Sequence, residues 1–319
     1  MSNDTDVELQ SIITRFRAYQ LGCKGSSFSY FSGNNFTLIE ARLTDVNEIS
    51  LDEELKICEK SSINCLHITS WDQDHCTASE LEKILVKYNP QKIEYPGYEP
   101  HTDNGEKSLN IIKEYHKNKT QAKIKRIDPP FIKSLTSSKG VGYSDIYYHP
   151  KKLTEHSNDN SSVKLFRGGM FNVASLGDIE SSNISSMLKG CRAFKHEVDI
   201  LILAHHGADV DANSKNFFRT VKPTLVICTS NYDNQYSHPT ENVRNNLFQL
   251  EIPIYTTKTG DVIIESSGNH RKNYTIKNYI SNGNKLSSST EFTSKKFSLL
   301  RNNSDTLKNI KSPGRRRLR

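Results

Sequence analysis

Residues 66–76 set two carboxylates and an imidazole in the order Asp72-x-Asp74-His75. Carboxylate oxygens and imidazole nitrogens are ligands for divalent cations, and groups this close in sequence reach one ion only from a tight turn, where side chains escape strand alternation. Residues 63–69, just before, are apolar and β-branched in the manner of a buried strand, so all three groups stand on the turn that ends it. Acids ahead of a helix also cap it, and a helical pattern begins at Ala78, so this run alone suits either role.

The same juxtaposition returns along the chain. Residues 162–166 and 170–174 read as a hairpin whose second strand runs into Gly177-Asp178, with a glycine that lets the backbone approach closely. Asp178 also suits the cap of a helix over 181–188. Residues 198–204 form the most apolar strand and deliver His205-His206-Gly207, and paired imidazoles at a strand end are hard to explain as packing. A buried strand over 223–229 is followed by a loop through residues 231–233 that ends at His238-Pro239. Ligand-type groups placed after successive strands gather at one edge of a sheet when those strands run the same way, and loops there commonly carry chemistry.

The elements that must position these groups follow from periodicity. Residues 12–43 hold three strand-like pieces separated by glycines, which gives two hairpins, and 52–60, 78–88, 108–119, 216–220 and 241–249 are helical. Residues 254–257 and 261–265 read as a closing hairpin around Thr259-Gly260. Residues 90–158 are treated as a variable insertion near the mouth of the site. Residues 1–280 are expected to form one domain, and 281–319, rich in Ser, Asn and Lys, a basic disordered tail.

Composition bounds the function. Apolar residues make up 34% and charged residues 25% of 319, as in a soluble globular chain. Apolar runs are strand-sized, far short of the roughly 18–20 residues that cross a bilayer. The polar start has no apolar core of a secretion signal, so the expected location is cytoplasmic. Six scattered cysteines without a CxxC pair read as reduced thiols. The net charge is +7, but residues 295–319 hold nine Lys or Arg against Asp305, so the tail carries +8 and residues 1–294 carry −1. The tail is therefore the candidate contact for nucleic acid, through phosphates.

In these motifs the chain resembles the metallo-β-lactamase fold, and more narrowly the soluble nuclease-like domain of ComEC-type DNA-uptake competence proteins. Thr69-Ser70-Trp71-Asp72-Gln73-Asp74-His75 is similar to the Ser/Thr-His-x-Asp-x-Asp-His motif of that group, Gly177-Asp178-Ile179-Glu180 to Gly-Asp-x-Glu, His205-His206-Gly207 to His-His-Gly, and Tyr236-Ser237-His238-Pro239 to Tyr-x-His-Pro. The resemblance spans residues 15–267 and implies an α/β fold, a four-layer αββα sandwich. It implies a divalent metal, Zn²⁺ or Mn²⁺, held by Asp72, Asp74, His75, Asp178 and His205 or His206, with one complete position and one incomplete. The incomplete position follows from Ser70, which stands where the motif has its first histidine. His67 is a candidate replacement that reads better as core.

The implied activity is a phosphodiesterase or nuclease using a metal-activated water, with Asp74 to orient or deprotonate the water and His238 to stabilise developing charge. Two other readings stay open. One is an impaired regulatory or binding module, which Ser70 supports, and the other is a hydrolase of a non-nucleotide ester or lactam.

Overall fold

The computed structural model describes residues 12–135, 144–231, 234–267, 272–280 and 285–302, with the short segments 8–9 and 310–311. In chain order the first half holds β1 (Glu8–Leu9), β2 (Thr14–Ala18), β3 (Phe28–Ser32), β4 (Asn35–Ile39), α1 (Asp45–Ile57), β5 (Cys65–His67), α2 (Ala78–Tyr88), β6 (Lys92–Pro96), α3 (Asp103–Asn118), β7 (Lys123–Ile127) and α4 (Pro129–Ser134). There follow β8 (Ile146–His149), β9 (Val163–Phe166), β10 (Val173–Ser175), α5 (Ser182–Gly190), α6 (Arg192–Glu197), β11 (Ile200–Ile202), α7 (Lys215–Val221), β12 (Leu225–Cys228) and α8 (Glu241–Gln249). The chain closes with β13 (Ile254–Thr256), β14 (Val262–Ser267), β15 (Asn273–Tyr279), β16 (Leu286–Thr293), α9 (Lys295–Asn302) and β17 (Ile310–Lys311).

Strand alternation sends side chains to separate cores. Along β12, Leu225 and Ile227 join Phe16, Phe28, Phe166 and Ile200 between two sheets, while Val226 and Cys228 join Phe217, Phe218 and Leu247 under the helices. A third cluster packs Leu51, Leu81, Ile84 and Ile112 of α1, α2 and α3 against Leu38 and Leu66 of the other sheet. Three cores between four layers make an αββα sandwich, the expected fold class. One sheet has nine strands in the order β16-β15-β14-β2-β3-β4-β5-β6-β7, and the other has six in the order β13-β12-β11-β10-β9-β8. Strands β4 to β7 run parallel in the first, and β10 to β13 run parallel in the second.

Helix starts are fixed locally. Thr44, Thr102, Ser214 and Thr240 each accept a hydrogen bond from the backbone N–H three residues on, a contribution of about 1 kcal/mol apiece. Thr77 holds the N-cap position of α2 without a side-chain cap bond, and Ser181 caps α5, so Asp72, Asp74 and Asp178 stand at neither N-cap.

Three expectations need correcting. Residues 90–158, expected as a variable insertion near the mouth of the site, supply strands to both sheets: β6 and β7 extend the parallel part of the large sheet and β8 edges the small one. Residues 254–265 are not a hairpin: β13 pairs with β12, β14 pairs with β2, and the turn between them carries the chain from one sheet to the other. Residues 286–302 of the expected disordered tail are regular structure, since β16 pairs with β15 along its length and α9 follows. Lys296 there is 2% exposed and donates to the carbonyls of Arg167 (2.8 Å) and Gly169, while Lys295 N–H donates to Asp199 at 2.8 Å. Residues 281–284, 303–309 and 312–319 of the expected tail lie outside the described residues.

A charged cluster interrupts the apolar layers. Glu94 of β6 and His67 of β5 are fully buried, with His67 Nδ1 2.9 Å from Glu94 Oε2 and Lys164 Nζ of β9 3.1 Å from the same oxygen. Lys92 and Tyr147 also reach Glu94. Burial opposes its charge, but Lys164 and His67 outweigh that and hold its carboxyl well below the usual range.

Candidate metal centre

Because β4 and β5 are parallel, as are β10, β11 and β12, the residues that follow them leave at shared edges of the two sheets. Glu40 follows β4, residues 68–77 follow β5, Asp178 follows β10, His205 and His206 follow β11, and Thr229 follows β12. From these turns Asp74, His75, Asp178 and His206 converge, one ligand-type atom from each lying within 4.8 Å of all the others. His75 Nε2 is 2.9 Å from Asp178 Oδ1, and His206 Nε2 is 3.2 Å from Asp74 Oδ2.

Backbone conformation makes the convergence possible. Gly177 has φ +55°, and a Cβ there would lie 2.7 Å from the Cβ of Ser161, so Asp178 needs a glycine before it. His205 and His206 both have positive φ, 46° and 53°, an uncommon conformation that costs energy outside glycine. This turn directs successive rings apart: His206 enters the cluster, while His205 Nδ1 lies 2.8 Å from Glu180 Oε1.

Outer residues fix the rings. His75 Nδ1 is 3.1 Å from Glu40 Oε1, and Glu40 is itself held by the Thr69 hydroxyl (2.5 Å) and the Thr69 N–H (3.0 Å). His206 Nδ1 is 3.2 Å from Ser26 Oγ and 3.4 Å from Thr229 Oγ1. With Nδ1 engaged on each ring, Nε2 is turned to the cluster centre, as metal-binding histidines require.

The donor set fits a divalent cation. His75 Nε2, His206 Nε2 and Asp178 Oδ1 are buried and face only members of the cluster, with no hydrogen-bond partner outside it. Two carboxylates and two imidazoles suit Zn²⁺ or Mn²⁺. The electrostatics agree. Burial opposes a charge on His75, but Asp178 and Glu40 outweigh it and raise its pKa. Burial likewise opposes ionisation of Asp74 and Asp178, yet hydrogen bonding and charge from His206 and His75 lower the first, and the charges of the same two rings lower the second. A field that favours positive charge on an imidazole also favours a cation at the same place.

The other residues singled out in the sequence fall outside this set. Asp72 accepts from the Ser70 hydroxyl at 2.9 Å, and His67 belongs to the Glu94 cluster. His238 stands beside the site, its ring centre 6.1 Å from that of His205, with a pKa that burial and then the charges of His205 and His206 lower to about 4. Sequence reasoning missed Glu40, Ser26, Thr229 and Tyr98. Glu40 carries the signal used elsewhere, an acid just past an apolar strand, and was open to detection. The other three are ordinary polar residues that become significant only when strands assemble.

No protein-family model matches the chain. It is 26% identical over 106 residues to the competence protein ComA of Neisseria gonorrhoeae, a stretch that makes up 33% of this chain and 15% of that protein. Among solved structures it is similar to YhfI, a metallo-β-lactamase fold protein from Bacillus subtilis, at 12% identity and a TM-score of 0.48 over 79% of this chain and 99% of that one. A diphosphatase of the PhnP family matches at 16% identity and a TM-score of 0.40, covering 79% and 98% of the two chains. Igni18, a metallo hydrolase from Ignicoccus hospitalis, matches at 13% and 0.41, covering 78% and 98%. Two facing sheets between helical layers, with carboxylates and imidazoles gathered past parallel strand ends, decide the architecture. The fold is a four-layer αββα sandwich. Among the described residues, no helix is long and apolar enough to cross a membrane.

Proposed function

We propose that this protein is a metal-dependent hydrolase of phosphodiester bonds. The observation that carries the hydrolase reading is the convergence of Asp74, His75, Asp178 and His206 with buried ligand atoms that have no hydrogen-bond partner outside the cluster. When bound, a divalent cation supplies Lewis-acid activation of water and of the attacked oxygen.

The chain's own residues divide the remaining work. His75 and Asp178, each 4% exposed in the side chain, form the floor, whereas the Asp74 side chain is 29% exposed and faces the approach. Asp74, held below the usual carboxylate range, orients a water as an acceptor and is a weak base. His238, neutral at pH 7 because its pKa is near 4, offers an uncharged N–H donor to developing charge.

Two carboxylates among the four ligands offset a dication, and the Glu40 carboxylate lies 3.1 Å behind His75, so the choice of an anionic substrate rests on the cleft beside the site. A cleft lined by Gln20, Gly22, Gly25, Asn231 and Lys258 adjoins Ser26 and Thr229, which hold His206, and gives a phosphate a cationic neighbour. Lys295 and Lys296 turn inward, so contact between the basic tail and nucleic acid rests in this proposal on the residues from Arg301 onward.

Ser70 supports a second reading, a binding module without turnover, because a neutral hydroxyl is a poor ligand. Protein stripped of metal and reloaded with Mn²⁺ or Zn²⁺ separates the two. Metal-dependent cleavage of bis(p-nitrophenyl) phosphate or single-stranded DNA, lost in Asp178→Asn, is the expected result. Bound metal without turnover on either supports the module, and turnover of an ester or lactam alone removes the phosphodiester.

A further inference from the structure

We infer that the centre takes one cation, because Ser70, Tyr98 and Asp72 form a hydrogen-bonded plug in which no hydroxyl of Ser70 is left to ligate a second. This rests on the reading of the four-residue cluster as a cation site and adds to it the count.

The inventory of Ser70 is complete. Its side chain is fully buried, and a hydroxyl has one proton and two lone pairs. The proton goes to Asp72 Oδ2 at 2.9 Å. With that proton spent, the 3.0 Å contact with Tyr98 must be a donation from the phenol to Ser70 Oγ. The second lone pair receives the Asp72 N–H at 3.3 Å. Tyr98, 5% exposed, is held in turn by Trp71, whose backbone N–H donates to its hydroxyl at 3.1 Å and whose indole N–H donates to its carbonyl at 3.0 Å. Trp71 is 2% exposed, so the plug is anchored in the core.

Two further imidazoles nearby face carboxylates of their own. His67 faces Glu94 at 2.9 Å, and His205 lies 2.8 Å from Glu180. The contrast is between two groups a few residues apart in sequence. Around Asp74 and His75, three buried ligand atoms face one another with no hydrogen-bond partner outside the cluster. Around Ser70 and Asp72, the hydroxyl is fully used, and one carboxylate oxygen accepts its proton. A cation at the second group would find one carboxylate, Asp72, and to gain Ser70 or Tyr98 it would have to break this network and ionise or displace a neutral phenol, whose pKa burial pushes up to about 12.

The test is metal stoichiometry, measured on the full chain by calorimetric titration of stripped protein with Mn²⁺ and by elemental analysis after dialysis. The expected result is one equivalent, with Asp72→Asn unchanged in count and within about twofold in affinity, while Asp74→Asn loses binding. The double variant Ser70→His/Tyr98→Phe, which opens the plug and adds an imidazole, is expected to take a second equivalent. Two equivalents in the wild type, or loss of one in Asp72→Asn, overturns the single-cation inference and leaves the hydrolase reading standing. No equivalent bound overturns both. Should the double variant not fold, the comparison of wild type with Asp72→Asn decides alone.

Discussion

Replacing Glu40 by glutamine tests whether the outer carboxylate governs the cation site. Glu40 is 1% exposed, lies 3.1 Å from His75 Nδ1, and accepts from both the hydroxyl and the N–H of Thr69. As a pure acceptor it requires a proton on Nδ1, which leaves the lone pair of Nε2 for the cation. Glutamine keeps the size and can keep the bond to the Thr69 N–H through its carbonyl oxygen. Its amide nitrogen would then face Nδ1 as a donor and favour the opposite tautomer, with a proton on Nε2 where the cation must bind. Outer-sphere partners of this kind are worth about 10- to 100-fold in metal affinity, which is about 1.4–2.7 kcal/mol. Calorimetric titration of stripped Glu40→Gln with Mn²⁺ should show that weakening, with native far-ultraviolet circular dichroism. An affinity within twofold of wild type in a folded variant would refute the role given to Glu40.

Glu94→Gln should lower unfolding stability by about 3 kcal/mol in urea titrations, because it leaves Lys164 buried with only the 3.2 Å pair to Asp145. The folded pKa of Glu94 is depressed, so its stabilisation is present above the unfolded value of about 4.3 and fades as pH falls through the folded value. The gap between wild type and variant should therefore narrow below about pH 4, and a gap that widens there contradicts the assignment. Gly177→Ala should cost more than about 1 kcal/mol in thermal unfolding, since φ is +55° and the added Cβ meets Ser161, and should weaken Mn²⁺ binding by shifting Asp178. Lys296→Ala should cost about 2 kcal/mol by leaving the Arg167 and Gly169 carbonyls without their ammonium donor, whereas a disordered tail predicts no change.

Much of this was legible before the fold was seen, for identifiable reasons. Helices α2 and α8 match their sequence ranges because the apolar spacing of Leu81, Ile84, Leu85 and Tyr88, and the cap Thr240, are local properties. The ligand turns were legible because apolar strands lead directly into Asp74, Asp178 and His206. Which of His205 and His206 turns inward was not, since it depends on left-handed backbone at both residues. Strand β16 was hidden by its Ser- and Thr-rich, mostly exposed composition, and its order comes from the ladder with β15. The turn between β13 and β14 has hairpin chemistry but serves a change of sheet, a distinction that exists only in three dimensions.

Anomalous diffraction from crystals grown with Mn²⁺ tests the central assignment most directly. A single peak enclosed by Asp74, His75, Asp178 and His206, with the Ser70–Tyr98–Asp72 network intact beside it, is the expected result. A peak held by Asp72 or His205, or no peak among the four side chains at saturating Mn²⁺, would contradict it.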